Sequence, residues 1–414
     1  MNFLLVGNGP SANRGCQAIE RTTIQMLSKR FNPSTFIIGS ESGDLDSIEN
    51  TDSAVKYFCL PMGFMGRNSS WLGYRLFNYS DIGTSFSQGA KFVKSNLQNI
   101  DAVLSLGGDL YGPSYGRFQL FHYTALMDRS ISKKVPTIIW PATIGPFDKY
   151  QSFDRRILEQ LRHVGLILCR DEWSFEHLHD LGFSDNLELV ADPAFLLEPR
   201  TPSKDILDIL PNNLEECIGI NLSPYIRSVA TNHNINDWVT SATLSIIEIM
   251  KATRKQVVLI PHVGEFRGNI SNSDWHFLIK VSDQLHHKGL NVTVIPLLNS
   301  DEMKWIISKV ELFVGARTHA TIASFGSKVP TLCIGYSEKS RALTKLFYGN
   351  DEIFLDGRLF STKVFVEKIL TLLGSKDSLR REITMKLPTI IKRAQLSLDH
   401  LDNYFTKLGV PSRI

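Results

Sequence analysis

The chain has 414 residues and a formal net charge of +3, from 45 Lys and Arg against 42 Asp and Glu. With 43% hydrophobic and 21% charged residues, its composition is that of a globular protein and excludes disordered, collagen-like and coiled-coil chains. The length predicts two domains or three, and a sequence pI near 8.5 is too mildly basic to indicate a nucleic-acid partner.

The N-terminal apolar run ends at Gly7 without a preceding basic region, which is too early for a signal peptide. No window approaches the roughly 18 apolar residues of a membrane span. The cysteines are odd in number and form no CxxC pair, so we expect reduced, mostly buried thiols in a soluble cytoplasmic protein. They are Cys16, Cys59, Cys169, Cys217 and Cys333.

Short β-branched runs alternate with segments of helical length along the chain. The predicted strands of the first half are residues 2–6, 35–38, 102–106, 137–140, 165–169 and 187–190. Those of the second half are residues 217–221, 256–260, 292–295, 312–314 and 331–334. Near-continuous apolar strands between helices imply parallel sheets covered on both faces. The predicted class is α/β, with two doubly wound Rossmann-like domains facing a cleft.

Prolines and asparagines over residues 197–214 interrupt any periodic element and predict a linker. The expected domains are residues 1–198 and 215–375, followed by C-terminal helices over 376–414 that pack across the domains. Pro388 should kink or split the last helix. Residues 61–84, rich in Gly, Asn, Ser and aromatics, predict a long loop or lid.

The first predicted strand runs into a glycine-rich segment, residues 7–15, that ends in Asn13, Arg14 and Gly15 before a helix. Free N–H groups at a helix N-terminus suit phosphate or carboxylate. A plain turn is the alternative. A dinucleotide site is disfavoured because Pro10 and the extra residues before the helix spoil the tight GxGxxG turn.

Two later strand ends also carry polar residues. Gly107, Gly108 and Asp109 follow a buried strand, where ligands of open α/β sheets bind, although Asp109 alone would also suit a helix cap. Arg170 follows another strand and predicts carboxylate or phosphate binding, with simple pairing to Asp171 as the alternative.

Arg317 and His319 form the sharpest motif, at the start of a helix after a buried strand. Arginine supplies a fork of donors for an anion, and histidine exchanges a proton near neutral pH. A lone helical histidine is usually structural, but the adjacent arginine, glycine and strand end favour a functional site.

Two more loops are expected to face the same cleft. His262 follows one strand, and Tyr336, Ser337 and Lys339 follow another. Lys339 is either a phosphate ligand or a solvated surface lysine. The histidines have no metal-ligand spacing, and no GxxxxGK[ST] pattern is present, which disfavours a P-loop NTPase.

The ordered motifs together carry a family resemblance that covers most of residues 1–345. They are residues 13–15, 107–109, 144–146, 170–172, 192–195 and 315–319. In this order they resemble the polysaccharide pyruvyl transferase family. The resemblance implies a fold like that of GT-B glycosyltransferases, with transfer of the pyruvyl group of phosphoenolpyruvate onto two hydroxyls of a sugar, which forms a cyclic ketal and releases phosphate.

By the same resemblance, Arg170, Arg317 and His319 match positions that bind or activate the donor, and Asp109 matches a carboxylate needed for activity. Gly107, Gly108, Ser337 and Lys339 are expected on the donor, and Asn13, Arg14, Gly15, His262 and Tyr336 on the substrate. The first domain, with loop 61–84, is assigned to the acceptor and the second to the donor. Neither a metal nor a cofactor is expected.

Two segments depart from many family members. Cys16 and Gln17 stand where many members have acidic residues, and residues 141–143 replace a Gly-Gln pair. The alternatives are therefore a GT-B-like glycosyltransferase that uses a nucleotide sugar, or a non-catalytic carbohydrate-binding member of a polysaccharide-assembly complex.

The expected acceptor is a sugar or a lipid-linked oligosaccharide. A lipid-linked acceptor would bring the protein to the cytoplasmic membrane face, where basic residues between 380 and 393 would help. Simple packing of that helix is the favoured alternative.

Overall fold

The computed structural model describes residues 1–40, 46, 52–60, 87–109, 111–112, 117–147, 151–226, 235–335 and 338–409. The predicted loop 61–84, Tyr336 and Ser337 lie outside these residues. The chain forms two compact units. Unit 1 comprises residues 1–11, 19–193 and 391–414, and unit 2 comprises residues 12–18 and 194–390.

Unit 1 contains a seven-stranded parallel sheet in the order β3-β2-β1-β4-β5-β6-β7. Its strands are β1 (Asn2–Val6), β2 (Thr35–Ser40), β3 (Val55–Cys59), β4 (Ala102–Ser105), β5 (Thr137–Ala142), β6 (Leu166–Cys169) and β7 (Leu187–Leu189). Its helices are α1 (Arg14–Arg30, begun in unit 2), α2 (Gln88–Asn96), α3 (Arg117–Ser132), α4 (Gln151–Leu161) and α5 (Glu172–Asp180).

Unit 2 contains a six-stranded parallel sheet in the order β10-β9-β8-β11-β12-β13. Its strands are β8 (Ile218–Asn221), β9 (Val257–Leu259), β10 (Thr293–Val294), β11 (Leu312–Gly315), β12 (Thr331–Gly335) and β13 (Phe354–Asp356). Its helices are α6 (Lys204–Asp208), α7 (Ile235–Thr253), α8 (Asp274–His287), α9 (Ser300–Ile307), α10 (Thr318–Gly326), α11 (Glu338–Tyr348) and the start of α12 (Thr362–Lys407).

Burial explains why the central strands form. All residues of β4, β5, β8 and β11 are buried, as expected for parallel strands covered by helices on both faces. The core of unit 1 includes Leu4, Val103 and Ile139, and that of unit 2 includes Val258 and Phe313. The carboxyl ends of such strands form the edge at which ligands of open α/β sheets bind.

Two strands escaped the sequence prediction, β3 and β13, and both lie at a sheet edge. β3 is largely exposed or half-buried, and β13 has only three residues. The C-terminal segment also differs from the prediction, because α12 is one helix of 46 residues that contains Pro388. Within the described residues, none of the helices combines the length and apolarity that a membrane crossing requires.

Candidate functional site

The predicted site residues fall into two clusters. Unit 2 holds the first, which brings together Asn13, Arg14, Gly15, His262, Arg317 and His319. Unit 1 holds the second, which consists of Gly107, Gly108, Asp109 and Arg170. Lys339 lies in α11, and its side chain is outside the described part of the structure.

Arg317 is the N-cap residue of α10, directly after β11. Its Nε donates to the two carboxylate oxygens of Asp274 at 3.1 and 3.3 Å, and its Nη2 donates to Oδ1 at 2.8 Å. Nη2 also donates to the backbone and side-chain oxygens of Asn272, both at 2.8 Å. Among the described residues Nη1 has no partner, so the Nε and Nη2 edge of the guanidinium is engaged internally and Nη1 is not.

Asp274 was not identified from the sequence. It begins α8 and is fully buried. Besides Arg317, its Oδ2 accepts the backbone N–H groups of His262 and Val263, both at 3.2 Å, and Nδ2 of Asn221 at 3.3 Å. Its position in a Ser-Asn-Ser-Asp run indicates only a helix start, since its ion-pair partner lies 43 residues away.

Residues 12–18 belong to unit 2 and pack against the rest of that unit at the ends of β8 and β9. The Arg14 N–H donates to the carbonyl of His262 at 3.0 Å, and Asn13 forms a bridge with Val263. The Asn13 side chain accepts the N–H of Gly15 at 3.0 Å, which caps α1. The glycine-rich segment thus supplies a helix start and places the Arg14 side chain, which is 5% exposed, in this cluster.

Gly15 is in close contact with the His319 ring. A Cβ on Gly15 would lie 2.4 Å from His319 Nδ1, a distance that real Cβ atoms do not show. Glycine is therefore required here by the ring that it faces. This contact brings the Asn-Arg-Gly segment and the Arg-Thr-His segment together in one cluster.

The departure at Gln17 has a structural explanation. Gln17 Oε1 accepts the N–H of Ser300 at 2.7 Å, while Nε2 donates to Asn299 Oδ1 at 3.2 Å. A carboxylate accepts but does not donate, so it could not make both contacts. In this chain residue 17 joins α1 to the start of α9.

His262 is 3% exposed, and neither ring nitrogen has a hydrogen-bond partner within the described ranges. Burial lowers the pKa of His262 well below 6.5, and the positive charges of His319, Arg317 and Arg14 lower it further. The ring is therefore neutral at physiological pH, with one donor and one acceptor available.

The cluster of unit 1 is a closed ion-pair network. Arg170 donates from Nη1 to Asp192 at 2.6 Å, from Nη2 to Asp109 at 2.8 Å and from Nε to Thr143 at 3.0 Å. Burial alone would lower the pKa of Arg170, but Asp192, Asp109 and Asp171 together hold it above its ordinary value. Arg170 therefore remains charged and is engaged at all three nitrogens, so its role in donor binding stays a prediction.

Gly108 accommodates Arg170 as Gly15 accommodates His319. A Cβ on Gly108 would lie 2.2 Å from Arg170 Nη1, while Gly107 has φ near +127°, a conformation that favours glycine. Asp171 caps α5 by accepting the N–H of Ser174 at 2.9 Å. Gly108 therefore leaves room for the guanidinium of Arg170, and the donor-binding role of Gly107 and Gly108 stays a prediction.

A buried carboxyl that the sequence did not single out lies near the ends of β1 and β3. Glu20 accepts hydrogen bonds from Tyr57 Oη at 2.6 Å and Asn8 Nδ2 at 2.9 Å. Burial raises the pKa of Glu20 to about 7, and the nearby charge of Asp46 contributes to this increase. In the described part of the chain, no group of three or more His, Cys, Asp or Glu side chains has the arrangement of a metal site.

The family comparison covers both clusters. The model of the polysaccharide pyruvyl transferase family matches residues 13–338. The chain belongs to this family. A curated relative, the amylovoran biosynthesis protein AmsJ of Erwinia amylovora, is 22% identical over 416 residues, which cover 92% of this chain and 94% of that protein. Membership of the pyruvyl transferase family supports a transferase role in polysaccharide biosynthesis.

Solved structures show the fold shared by this pyruvyl transferase family member. A putative UDP-N-acetylglucosamine 2-epimerase from Listeria monocytogenes has a TM-score of 0.64 at 12% identity and covers 99% of this chain and 98% of its own. A UGT transferase from Siraitia grosvenorii in complex with UDP has a TM-score of 0.62 at 11% identity and covers 98% and 100%. The fold class predicted from the sequence, GT-B-like α/β, is confirmed.

Proposed function

We propose that this protein transfers the pyruvyl group of phosphoenolpyruvate onto two hydroxyls of a sugar, forming a cyclic ketal and releasing phosphate. The observation that carries the proposal is the cluster of unit 2, where Arg14, His262, Arg317 and His319 come together and the buried carboxylate of Asp274 pairs with Arg317. A ligand with phosphate and carboxylate groups needs such an excess of donors and positive charge.

The roles follow from the geometry of the cluster. Nη1 of Arg317 and the Arg14 guanidinium provide positive charge for the donor. Neutral His262 provides one further donor or acceptor. His319 lies in the first turn of α10, where it is proposed to protonate the methylene carbon of phosphoenolpyruvate.

The proposed steps balance as follows. Protonation of the methylene carbon gives a methyl group and an oxocarbenium-like centre at the adjacent carbon. One sugar hydroxyl attacks that centre, the C–O bond to phosphate breaks, and a second hydroxyl closes the ketal. Of the two hydroxyl protons, one replaces the proton given by His319 and the other leaves with phosphate. Asp109 is the proposed base that takes the proton of the attacking hydroxyl and passes it to the leaving phosphate.

The scheme requires neither an organic cofactor nor a metal ion. The proposed acceptor is a sugar or a lipid-linked oligosaccharide, and the second would place the reaction at the cytoplasmic membrane face. Ser337, Tyr336 and Lys339 stay predicted ligand contacts.

A ligand titration tests the donor. Phosphoenolpyruvate, UDP, GDP and NAD are each titrated into wild type, Arg317→Ala and His287→Ala, with binding measured by calorimetry and thermal stability. The control removes an exposed histidine of α8. We expect stabilisation by phosphoenolpyruvate in wild type and control and its loss in Arg317→Ala, since a ligand at 100 times its Kd adds about 2.7 kcal/mol. Stabilisation by a nucleotide alone would contradict the proposal and favour a glycosyltransferase.

A turnover assay tests the reaction. Phosphate release is measured with phosphoenolpyruvate and the methyl glycosides of glucose, galactose and mannose, or oligosaccharide acceptors, and ketal formation is checked by proton NMR. Release that depends on both substrates and accompanies a new methyl signal supports the proposal. Release without the ketal methyl signal would contradict it.

A further inference from the structure

The fully buried Asp274 connects two parts of the cluster in unit 2. One carboxylate oxygen accepts the backbone N–H groups of His262 and Val263, and the same side chain pairs with Nε and Nη2 of Arg317. A buried carboxylate is costly unless charge and hydrogen bonds compensate for it, and here both do. The position of Arg317 and that of the His262 loop therefore depend on one side chain.

Asn221 holds the backbone of the same arginine. Its Oδ1 accepts the N–H groups of Ala316 and Arg317 at 3.2 and 3.1 Å, and its Nδ2 donates to Asp274 at 3.3 Å. The main chain and the guanidinium of Arg317 are thus fixed by two buried neighbours that also contact each other. Little freedom is left in the direction of Nη1.

We infer that Asp274 is a positioning residue that orients Arg317 so that Nη1 alone meets the anionic donor. The inference rests on the proposed function, because it takes phosphoenolpyruvate as that donor. An ordinary arginine site offers an anion two parallel N–H groups. Here those groups are paired with Asp274, so the ligand meets only Nη1 as a donor. The direction of Nη1 then fixes the position of the reacting carbon of the ligand.

A loss of positioning differs kinetically from a loss of binding. Asp274→Asn removes the negative charge and keeps the size of the side chain. The guanidinium then gains freedom and the cluster becomes more positive, so the KM for phosphoenolpyruvate should stay unchanged or fall. The kcat should fall by about 10–100-fold, because small displacements of a reacting group have effects of that order.

Two controls separate this role from general effects. Asp283→Asn removes a carboxylate from an exposed position on the same helix and should leave kcat and KM unchanged. Asn272→Ala removes the other side-chain acceptor of Nη2 while Asp274 stays, and kcat should fall by less than about 5-fold, since the lost hydrogen bond is exposed and Nη2 keeps its bond to Asp274.

A second substitution decides the inference if Asp274→Asn does not fold. Arg317→Lys keeps the charge beside Asp274, but a single ammonium group is unable to pair with the carboxylate and reach the donor together. Its kcat should fall as far as that of Arg317→Ala. If none of the acceptors supports turnover, the Kd for phosphoenolpyruvate decides: Arg317→Lys should bind as weakly as Arg317→Ala.

The outcomes are distinct. Folded Asp274→Asn or Arg317→Lys with kcat within about 3-fold of wild type would overturn the inference, since the orientation would not matter. So would an Asp274→Asn variant whose KM rises 10-fold at unchanged kcat. If wild type neither binds phosphoenolpyruvate nor releases phosphate from it, the proposed function fails and the inference fails with it.

Discussion

Arg170 and Arg317 both follow a buried strand, yet their surroundings are opposite. Arg170 contacts Asp109, Asp192 and Thr143, so all three of its nitrogens have partners and the local carboxylates outnumber it. Arg317 has one carboxylate partner, and Arg14 and two histidines lie in the same cluster. The same residue type at the end of a buried parallel strand is thus engaged at all three nitrogens in unit 1, whereas in unit 2 its Nη1 has no partner within the described residues.

The difference lies in how each arginine is engaged, and it is the reason for proposing the donor site in unit 2. A strand end and an arginine are common to both clusters, so neither decides. The two clusters are told apart by their balance of charge and by the number of arginine nitrogens without a partner. Both properties depend on the folded chain and not on the local sequence.

The largest effect is expected at His319. His319→Ala should lower kcat by about 10²–10⁴-fold with little change in thermal stability, because the half-buried ring is the proposed proton donor. Phosphate release at saturating phosphoenolpyruvate measures this. His287→Ala is the matched control on an exposed helix end, and near wild-type kcat in His319→Ala would exclude the acid role.

The two close glycine contacts allow a direct comparison of the clusters. Gly15→Ala places a Cβ against the His319 ring and should lower kcat by about 10–100-fold, because the ring must move. Gly108→Ala places a Cβ against Arg170 and should lower the free energy of unfolding by about 1–3 kcal/mol, because a packed network must shift. Kinetics and denaturant unfolding of both variants give the measurement.

The reverse pattern would break the comparison. If Gly15→Ala lost stability at unchanged kcat, the His319 contact would be structural. If Gly108→Ala kept its stability and lost kcat, the network of Arg170 would belong to the reaction as well.

Glu20 and His262 should give stability slopes of opposite sign with pH. The pKa of Glu20 is raised from 4.5 to about 7 by burial, so the folded chain holds a proton that the unfolded chain releases. The contribution of Glu20 to the free energy of unfolding is fully present below pH 4.5. It is lost as the pH rises towards 7, by at most about 1.4 kcal/mol per pH unit. Glu20→Gln should remove that loss in denaturant unfolding measured from pH 4.5 to 7.5, and an unchanged slope would contradict the assignment.

His262 makes stability change with pH in the direction opposite to Glu20. Its folded pKa is depressed by burial and by neighbouring positive charge, so below pH 6.5 the unfolded chain binds a proton that the folded chain does not. Stability is then lost as pH falls below 6.5, again by at most about 1.4 kcal/mol per unit. His262→Gln should be less sensitive to acid than wild type between pH 7.5 and 5, and equal sensitivity would show that the ring is protonated when folded.

Periodicity and strand-end motifs predicted most of the fold. The central strands were found because they are short, apolar and bounded by turn residues, as in β4 and β11. β3 was missed because it is exposed at three of its five positions and carries little apolar signal, and β13 was missed because a strand of three residues is too short to show a period. Pro388 was expected to kink or split the last helix, and α12 is not split there.

The candidate site was predictable where a motif carries its own signal. Arg317, His319 and the segment from Asn13 to Gly15 stand out as residue types at a strand end. Asp274 and Glu20 do not, since a carboxylate within a helix looks the same whether it faces solvent or is buried. Their roles arise from partners far along the chain, such as Arg317 and Tyr57, that local patterns do not reveal.

Residues 12–18 belong to unit 2, although the residues on both sides of them belong to unit 1. During synthesis this segment leaves the ribosome long before its neighbours His262 and His319 are made. The first turn of α1 must therefore wait for the second sheet before its contacts can form. Closing so long a loop is slow compared with local helix formation, so the cluster should be among the last parts of the nascent chain to mature.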